Sequence, residues 1–251
     1  MSDSFAEALA GLATARLRYT VHHAALVAST NDWARSLAAA GAPEGTLCWA
    51  DAQSAGRGRR GRGWLSPCGG LYLSLILRPT LPPAAIPRLT LMAAVALARA
   101  SGPAATIKWP NDILLDGRKV CGILSELHGD PAAVILGIGV NVAADPALAA
   151  VPTAGSLGAP DRIALLRGIL AELDACYDGL VAGAWPALLD EWRGRCRTLG
   201  QEVTVAGAFG QVAGRALDVD PDGALLLTTA GGTRRFLAGE VTLRKEVEAA
   251  P

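Results

Sequence analysis

A chain of 251 residues, 51% hydrophobic and with a formal net charge of zero, can bury a full core, read here as one large domain plus a small one. No uninterrupted apolar run reaches 18 residues and no basic residue precedes Arg16, which argues against a membrane span and a signal peptide. Five cysteines without a Cys-x-x-Cys pair fit a reduced cytoplasmic protein lacking disulfides and zinc, and the adjacent His22 and His23 cannot share a strand face to hold a metal.

In chain order, Asp3 to Ala13 reads as a short helix. Ser29-Thr30-Asn31 opens a capped helix carrying Trp33, Leu37 and Ala40 and ending at Gly41. Residues 46–50 and 71–78 read as strands on either side of a glycine- and arginine-rich loop. Residues 83–100, rich in alanine with leucine and valine at helical spacing, read as a helix. Strands follow at 105–109, 112–115, 119–127 and 133–142, with Asp116-Gly117 a hairpin turn between the second and third. Residues 161–182 and 184–195 read as two helices split by Gly183. After Leu199-Gly200 come five short β-rich runs, 201–206, 211–219, 224–229, 233–238 and 240–246, which suggest a small closed barrel. The first domain, 1–196, is therefore mixed α/β with mostly sequential strands, and the second, 197–251, is all β.

Four segments carry chemistry. Between Gln53 and Ser66 stand four arginines and four glycines with no acid. The glycines permit close backbone approach and the arginines offer bidentate donors, so the loop suits clamping a polyanion. Gly56-x-Gly58-x-x-Gly61 also matches the dinucleotide-binding fingerprint, but no amphipathic helix follows it. A disordered Arg-Gly segment for RNA and a plain solvated loop are the other readings.

The second segment is Lys108-Trp-Pro-Asn-Asp112 followed by Arg118-Lys119. Of the 23 basic residues, only Lys108, Lys119 and Lys245 are lysines; two retained in one segment read either as chance or as a place where a compact ammonium is required, and Lys245 reads as chance. Strand alternation sends 119, 121, 123 and 125 to one face. By itself Trp-Pro-Asn-Asp is a β-turn. The third segment, Leu136-Gly-Ile-Gly-Val-Asn141, leaves one strand face bare, for another strand or for a flat ligand. The fourth is Ser29-Thr30-Asn31, either a plain N-cap or a helix start presented to a small polar group.

Together, and in this order, the segments resemble the catalytic domain of the biotin protein ligase family over about residues 20–142. The resemblance rests on Ser29-Thr-Asn31, Gln53, Gly56 to Trp64, Lys108 to Asp112, Arg118 to Gly122 and Gly137 to Asn141. It implies an α+β fold, a mixed β-sheet flanked by helices with a small SH3-like barrel behind it. It further implies that biotin and ATP give biotinyl-5′-AMP and pyrophosphate, with Mg²⁺ on the nucleotide and no readable metal ligands. Biotin then passes to a lysine of a biotin carboxyl carrier domain.

The residue assignments come from the same resemblance. Ser29, Thr30, Asn31 and Gln53 hold the ureido ring, while Arg57, Gly58 and Arg59 fold over biotin. Gly56, Arg57, Arg59, Arg60, Arg62, Trp64, Lys108, Asn111, Lys119 and Asn141 surround the nucleotide. Gly137 and Gly139 line the pocket. Lys119, Arg59 and Lys108 face the reacting charge, and Asp112 is suited to receive the incoming lysine.

Departures are Ala28, where an acid often precedes Ser-Thr-Asn, and Gly63. No room is left ahead of residue 16 for a DNA-binding extension, so a monofunctional enzyme is expected, monomer or homodimer, without nucleic acid or membrane partners. A lipoate–protein ligase or octanoyl transferase would share the architecture but lack this arginine loop in this form. An RNA-binding module would need stacking aromatics, and only Trp64 accompanies the loop.

Overall fold

A computed structural model of the chain describes residues 11–129 and 133–243. The expected helix at 3–13, the end of the last strand and Lys245 lie wholly or mostly outside that range. A seven-stranded sheet organises the larger domain: β1 (Thr20–Val27), β2 (Thr46–Gln53), β3 (Leu71–Leu77), β4 (Thr106–Lys108), β5 (Asp112–Leu115), β6 (Arg118–His128) and β7 (Ala133–Val140). Its order is β1-β2-β3-β7-β6-β5-β4. The strands from β4 to β7 run sequentially, as expected, and then return to β3. β1 pairs parallel with β2, and every other pair is antiparallel.

The helices are α1 (Thr30–Ala39), α2 (Pro87–Ala100), a single turn α3 (Pro146–Ala149), α4 (Arg162–Val181) and α5 (Trp185–Arg195). Ser29 caps α1 by accepting from Asp32 N at 3.4 Å, and Asp161 caps α4 by accepting from Ile163 N at 2.8 Å. Gly183, at φ +88°, breaks the chain between α4 and α5. The stretch Pro83–Ala100 is long and apolar enough to cross a membrane by composition alone. It opens with a 3₁₀ turn at Pro83–Ala85, and its α-helix is the central core helix, with Leu89, Met92 and Val95 fully buried.

The two faces of the sheet differ, and the difference places the site. One face, with Trp49, Leu73, Leu75, Leu136 and Ile138, packs on the core shared with α2, α4 and α5. On the other, α1 packs Ala34 and Ala38 on Cys48, Ile76, Ala133 and Ile135, and its first turn lies over Ser74 and Gly137. Beyond α1, register aligns Tyr72, Gly139, Gly122, Asp112 and Lys108 in one row across five strands. Among the described residues no helix covers that half.

The smaller domain holds β8 (Glu202–Gly207), β9 (Gly210–Val219), β10 (Leu225–Thr229), β11 (Gly232–Phe236) and β12 (Glu240–Leu243). They form an antiparallel sheet ordered β11-β10-β9-β8-β12. The five expected runs are all present, and among the described residues no strand pairing joins β11 to β12 to close a barrel.

Candidate active site

The arginine loop covers the half-face that α1 leaves open. It is a hairpin: Gly58 N donates to Arg62 O at 2.7 Å and Trp64 N to Gly56 O at 2.8 Å. Its tip is Arg60 and Gly61, both with positive φ, which for Arg60 is a sparsely populated conformation. Residues 56–59 and Trp64 are half-buried, whereas 60–63 are exposed. Trp64 lies flat on the sheet, so a Cβ added at Gly139 or Gly122 would collide with its ring. One at Gly137 would strike the Asn31 amide. The bare strand face is thus a floor, occupied by an aromatic ring and an amide.

At the α1 end, polar groups are bonded to each other. Thr30 N and Oγ1 donate to Gln53 Oε1 at 2.8 and 3.1 Å, and Gln53 Nε2 donates to Ser66 Oγ at 2.8 Å. Ser74 Oγ lies 2.8 Å from Thr30 Oγ1 and 2.6 Å from Asn31 Oδ1. Ser29, Thr30, Asn31 and Ser74 are all buried.

At the other end stand the charges. Lys119 Nζ is 2.6 Å from Asp112 Oδ1 and 5.1 Å from the centre of the Trp64 ring. Lys108 sits opposite Asp112 on β4. Arg59 Nη1 donates to Asn111 Oδ1 at 3.1 Å, and Asn111 Nδ2 in turn donates to Ile123 O at 2.8 Å. Burial pulls the Arg59 pKa down, against the pull of Asp112.

The expected alternation fails at the residue that matters most. Ile113 pairs with Cys121 but Leu114 with Lys119, so Val120 is an extra residue, a β-bulge. The bulge turns Lys119 to the face of Gly122 and Asp112. Cys121 joins Val120 in the core, its thiol pushed well up by burial. Segment 153–155 holds the bulge, with Lys119 N donating to Thr153 O at 2.7 Å and Gly155 N to Lys119 O at 2.9 Å. Asn141 Nδ2 donates to Gly155 O at 2.9 Å.

Three polar atoms around this floor are buried without a partner: Arg57 Nε, Trp64 Nε1 and Asn141 Oδ1. Buried donors and acceptors are usually paired, so these three are groups available to a polar ligand. The open cleft of about 370 Å³ lies beside this surface, between Arg59, Pro110, Glu126, Pro87 and Leu237.

Most of the residues expected at the site therefore converge. Arg60 and Arg62 do not: Arg60 Nη1 donates to Ala206 O at 2.9 Å, and Arg62 Nη1 lies 2.5 Å from Glu240 Oε1, both on the smaller domain. Sequence reasoning missed Ser74, Ser66, Asp32 and Glu126. A lone acid inside the apolar run of β6 was the signal available for Glu126.

Comparison with known proteins agrees with this geometry. The biotin/lipoate A/B protein ligase family model matches residues 23–141, and the biotin protein ligase C-terminal domain model matches 198–244. The bifunctional ligase/repressor BirA of Bacillus subtilis is 36% identical over 242 residues, covering 90% of this chain and 74% of the relative. The chain belongs to the biotin protein ligase family. A biotin–[acetyl-CoA-carboxylase] ligase of Mycobacterium tuberculosis is 37% identical to it over 229 residues, 85% of each chain. A biotin protein ligase from Aquifex aeolicus, solved with biotin and ATP, superposes with a TM-score of 0.80 at 28% identity, covering 90% of this chain and 99% of that one.

Proposed function

We propose that this ligase joins biotin to ATP, releases pyrophosphate, and transfers biotin from biotinyl-5′-AMP to one lysine of a biotin carboxyl carrier domain. The observation that carries the reading is the glycine floor of Gly122, Gly137 and Gly139, with neutral hydrogen-bonding groups at one end and Lys119, Arg59 and Lys108 at the other. A ligand with a neutral urea head and an anionic tail matches that polarity. Its bicyclic ring needs donors and acceptors from Thr30, Asn31, Gln53 and Ser74. Its carboxylate belongs beside the cations.

In the first step a biotin carboxylate oxygen attacks the α-phosphorus, an oxygen–phosphorus bond forms, and pyrophosphate leaves. Two anions approach, so charge builds where Lys119 and Arg59 stand; preorganised cations there supply several kcal/mol, roughly 3–4 for one well-placed donor. Trp64, already stacked by the lysine, offers a ring for the adenine. In the second step a neutral lysine amine attacks the acyl carbon and AMP departs. Asp112, freed as Lys119 turns to the phosphate, accepts the amine's proton.

Among the described residues no group of three or more His, Cys, Asp or Glu side chains is placed to hold a metal ion. Mg²⁺ is therefore proposed to enter with the nucleotide, held mainly by its phosphates. Work in the cytoplasm, as a monomer or homodimer, is part of the same proposal. The test is ATP–pyrophosphate exchange with biotin or lipoate, followed by labelling of a carrier domain. Exchange with lipoate alone would reject the biotin reading.

A further inference from the structure

Four charged side chains, Asp32, Arg35, Arg57 and Glu126, form a closed ring at the head-group end of the pocket. Arg57 pairs with Glu126 through Nη2 and lies 3.5 Å from Asp32 through Nη1. Arg35 pairs with Asp32 and lies 3.9 Å from Glu126. Asp32 and Arg35 stand one turn apart on α1, Glu126 on β6 and Arg57 on the loop, so the ring ties three elements together. Glu126 Oε2 also accepts from Asn31 Nδ2 at 2.8 Å. One carboxylate thus fixes the buried amide beneath the pocket and the first arginine above it.

Two consequences follow from the charges. The ring sums to zero, and both terminal nitrogens of Arg57 face carboxylates, which leaves its buried Nε–H as the one donor without a partner. That end of the pocket therefore presents a directed donor without net charge, suited to a neutral carbonyl rather than a carboxylate. The loop is also divided. Its first residues are held against the sheet and α1, while its exposed tip rests on the smaller domain through Arg60 and Arg62. Exposed pairs such as Arg62–Glu240, with side chains 59% and 42% accessible, contribute little singly and break easily.

We infer that Glu126, assisted by Asp32, is a positioning residue that holds Arg57 closed over the head-group end of the pocket before any ligand arrives. Loop opening is then confined to the segment beyond Gly58. The clamp is a property of the free chain; only the identity of the head group rests on the ligase reading.

The test uses the full chain with Glu126→Gln, which keeps an oxygen for Asn31 but removes the charge, and with Asp32→Asn and Glu126→Asp. Limited trypsin digestion without ligands, with first cuts mapped by mass spectrometry, should cleave the wild type after Arg60 or Arg62 and spare Arg57. In Glu126→Gln, cleavage after Arg57 should rise by about tenfold, because protease attack tracks the open population. In exchange assays the KM for biotin should rise by about tenfold with kcat within about twofold, the signature of lost ground-state binding, and Glu126→Asp should recover part of it. Wild-type cleavage and wild-type KM in Glu126→Gln would overturn the clamp, as would a fall in kcat at unchanged KM. If Glu126→Gln fails to fold, Asp32→Asn on the helix surface carries the same two readouts. Absence of biotin-dependent exchange in the wild type would reject the ligase reading, while the cleavage map would still decide the clamp.

Discussion

Lys119 owes its place to a fault in the alternation of β6. Strict period-two reading puts it on the core face with Cys121, where an ammonium has no business; one inserted residue, Val120, turns it to Asp112 and Trp64. Lys119→Ala should therefore lower ATP–pyrophosphate exchange by about 10²–10³ with the circular dichroism spectrum unchanged. Exchange within about tenfold of wild type, roughly 1.4 kcal/mol of barrier, would remove Lys119 from the chemistry. The floor makes a second residue-scale prediction. A methyl at Gly139 collides with the Trp64 indole, and the rigid strand beneath cannot give way, so the ring must leave. Gly139→Ala should weaken ATP binding by about tenfold or more, on the scale of one lost stacking contact, while the melting temperature changes little. Calorimetric titration with unaltered affinity would show that Trp64 contributes nothing to the nucleotide site.

At the scale of elements, the arginine loop was legible as a clamp but not in its division of labour. Four arginines in a row of glycines announce anion binding; nothing in their spacing says that Arg60 and Arg62 reach β8 and β12, because those partners come from a distant part of the chain. The same limit hid the clamp of Arg57 on Glu126. β1 was missed for a local reason. Its sequence, Thr-Val-His-His-Ala-Ala-Leu-Val, shows no alternation, since it is an edge strand only partly covered on either face. The longer helices and the antiparallel strands, by contrast, were readable from their apolar periodicity and turn signals, whereas the single turn Pro146–Ala149 is too short to show a period. Arg59 is the loop arginine aimed at the reacting end, through Asn111. Its contacts form only while the loop is shut, so Arg59→Gly should speed escape of biotinyl-5′-AMP more than it slows its formation. The escaped mixed anhydride acylates any exposed amine. Biotin blots of an unrelated lysine-rich protein mixed with the variant, biotin and ATP should darken; a clean blot from a variant that still makes adenylate would exclude the guarding role.

Across the whole molecule, the smaller domain is fastened to the underside of the site. Trp109, the residue before Pro-Asn-Asp, donates from Nε1 to Gly223 O at 3.2 Å and from its backbone N to Thr198 Oγ1 at 3.0 Å. Trp185 Nε1 reaches Pro221 O at 2.7 Å, and Arg193 bonds Asp218 and Val219 O. Trp109, Trp192, Val203, Leu225 and Val241 belong to one continuous buried cluster that also includes the sheet core. A shared core makes the two domains one cooperative unit, and calorimetry should show a single transition with matching calorimetric and van't Hoff enthalpies. Trp109→Ala removes a fully buried ring from the seam and should cost about 3–5 kcal/mol. It also frees the turn that holds Asn111 and Asp112, so exchange activity should fall at temperatures where the variant is still folded. Two resolved transitions in the wild type would mean that the domains unfold separately. A Trp109→Ala protein with full activity below its melting point would mean that the seam supports the fold alone and leaves the Pro-Asn-Asp turn unaided.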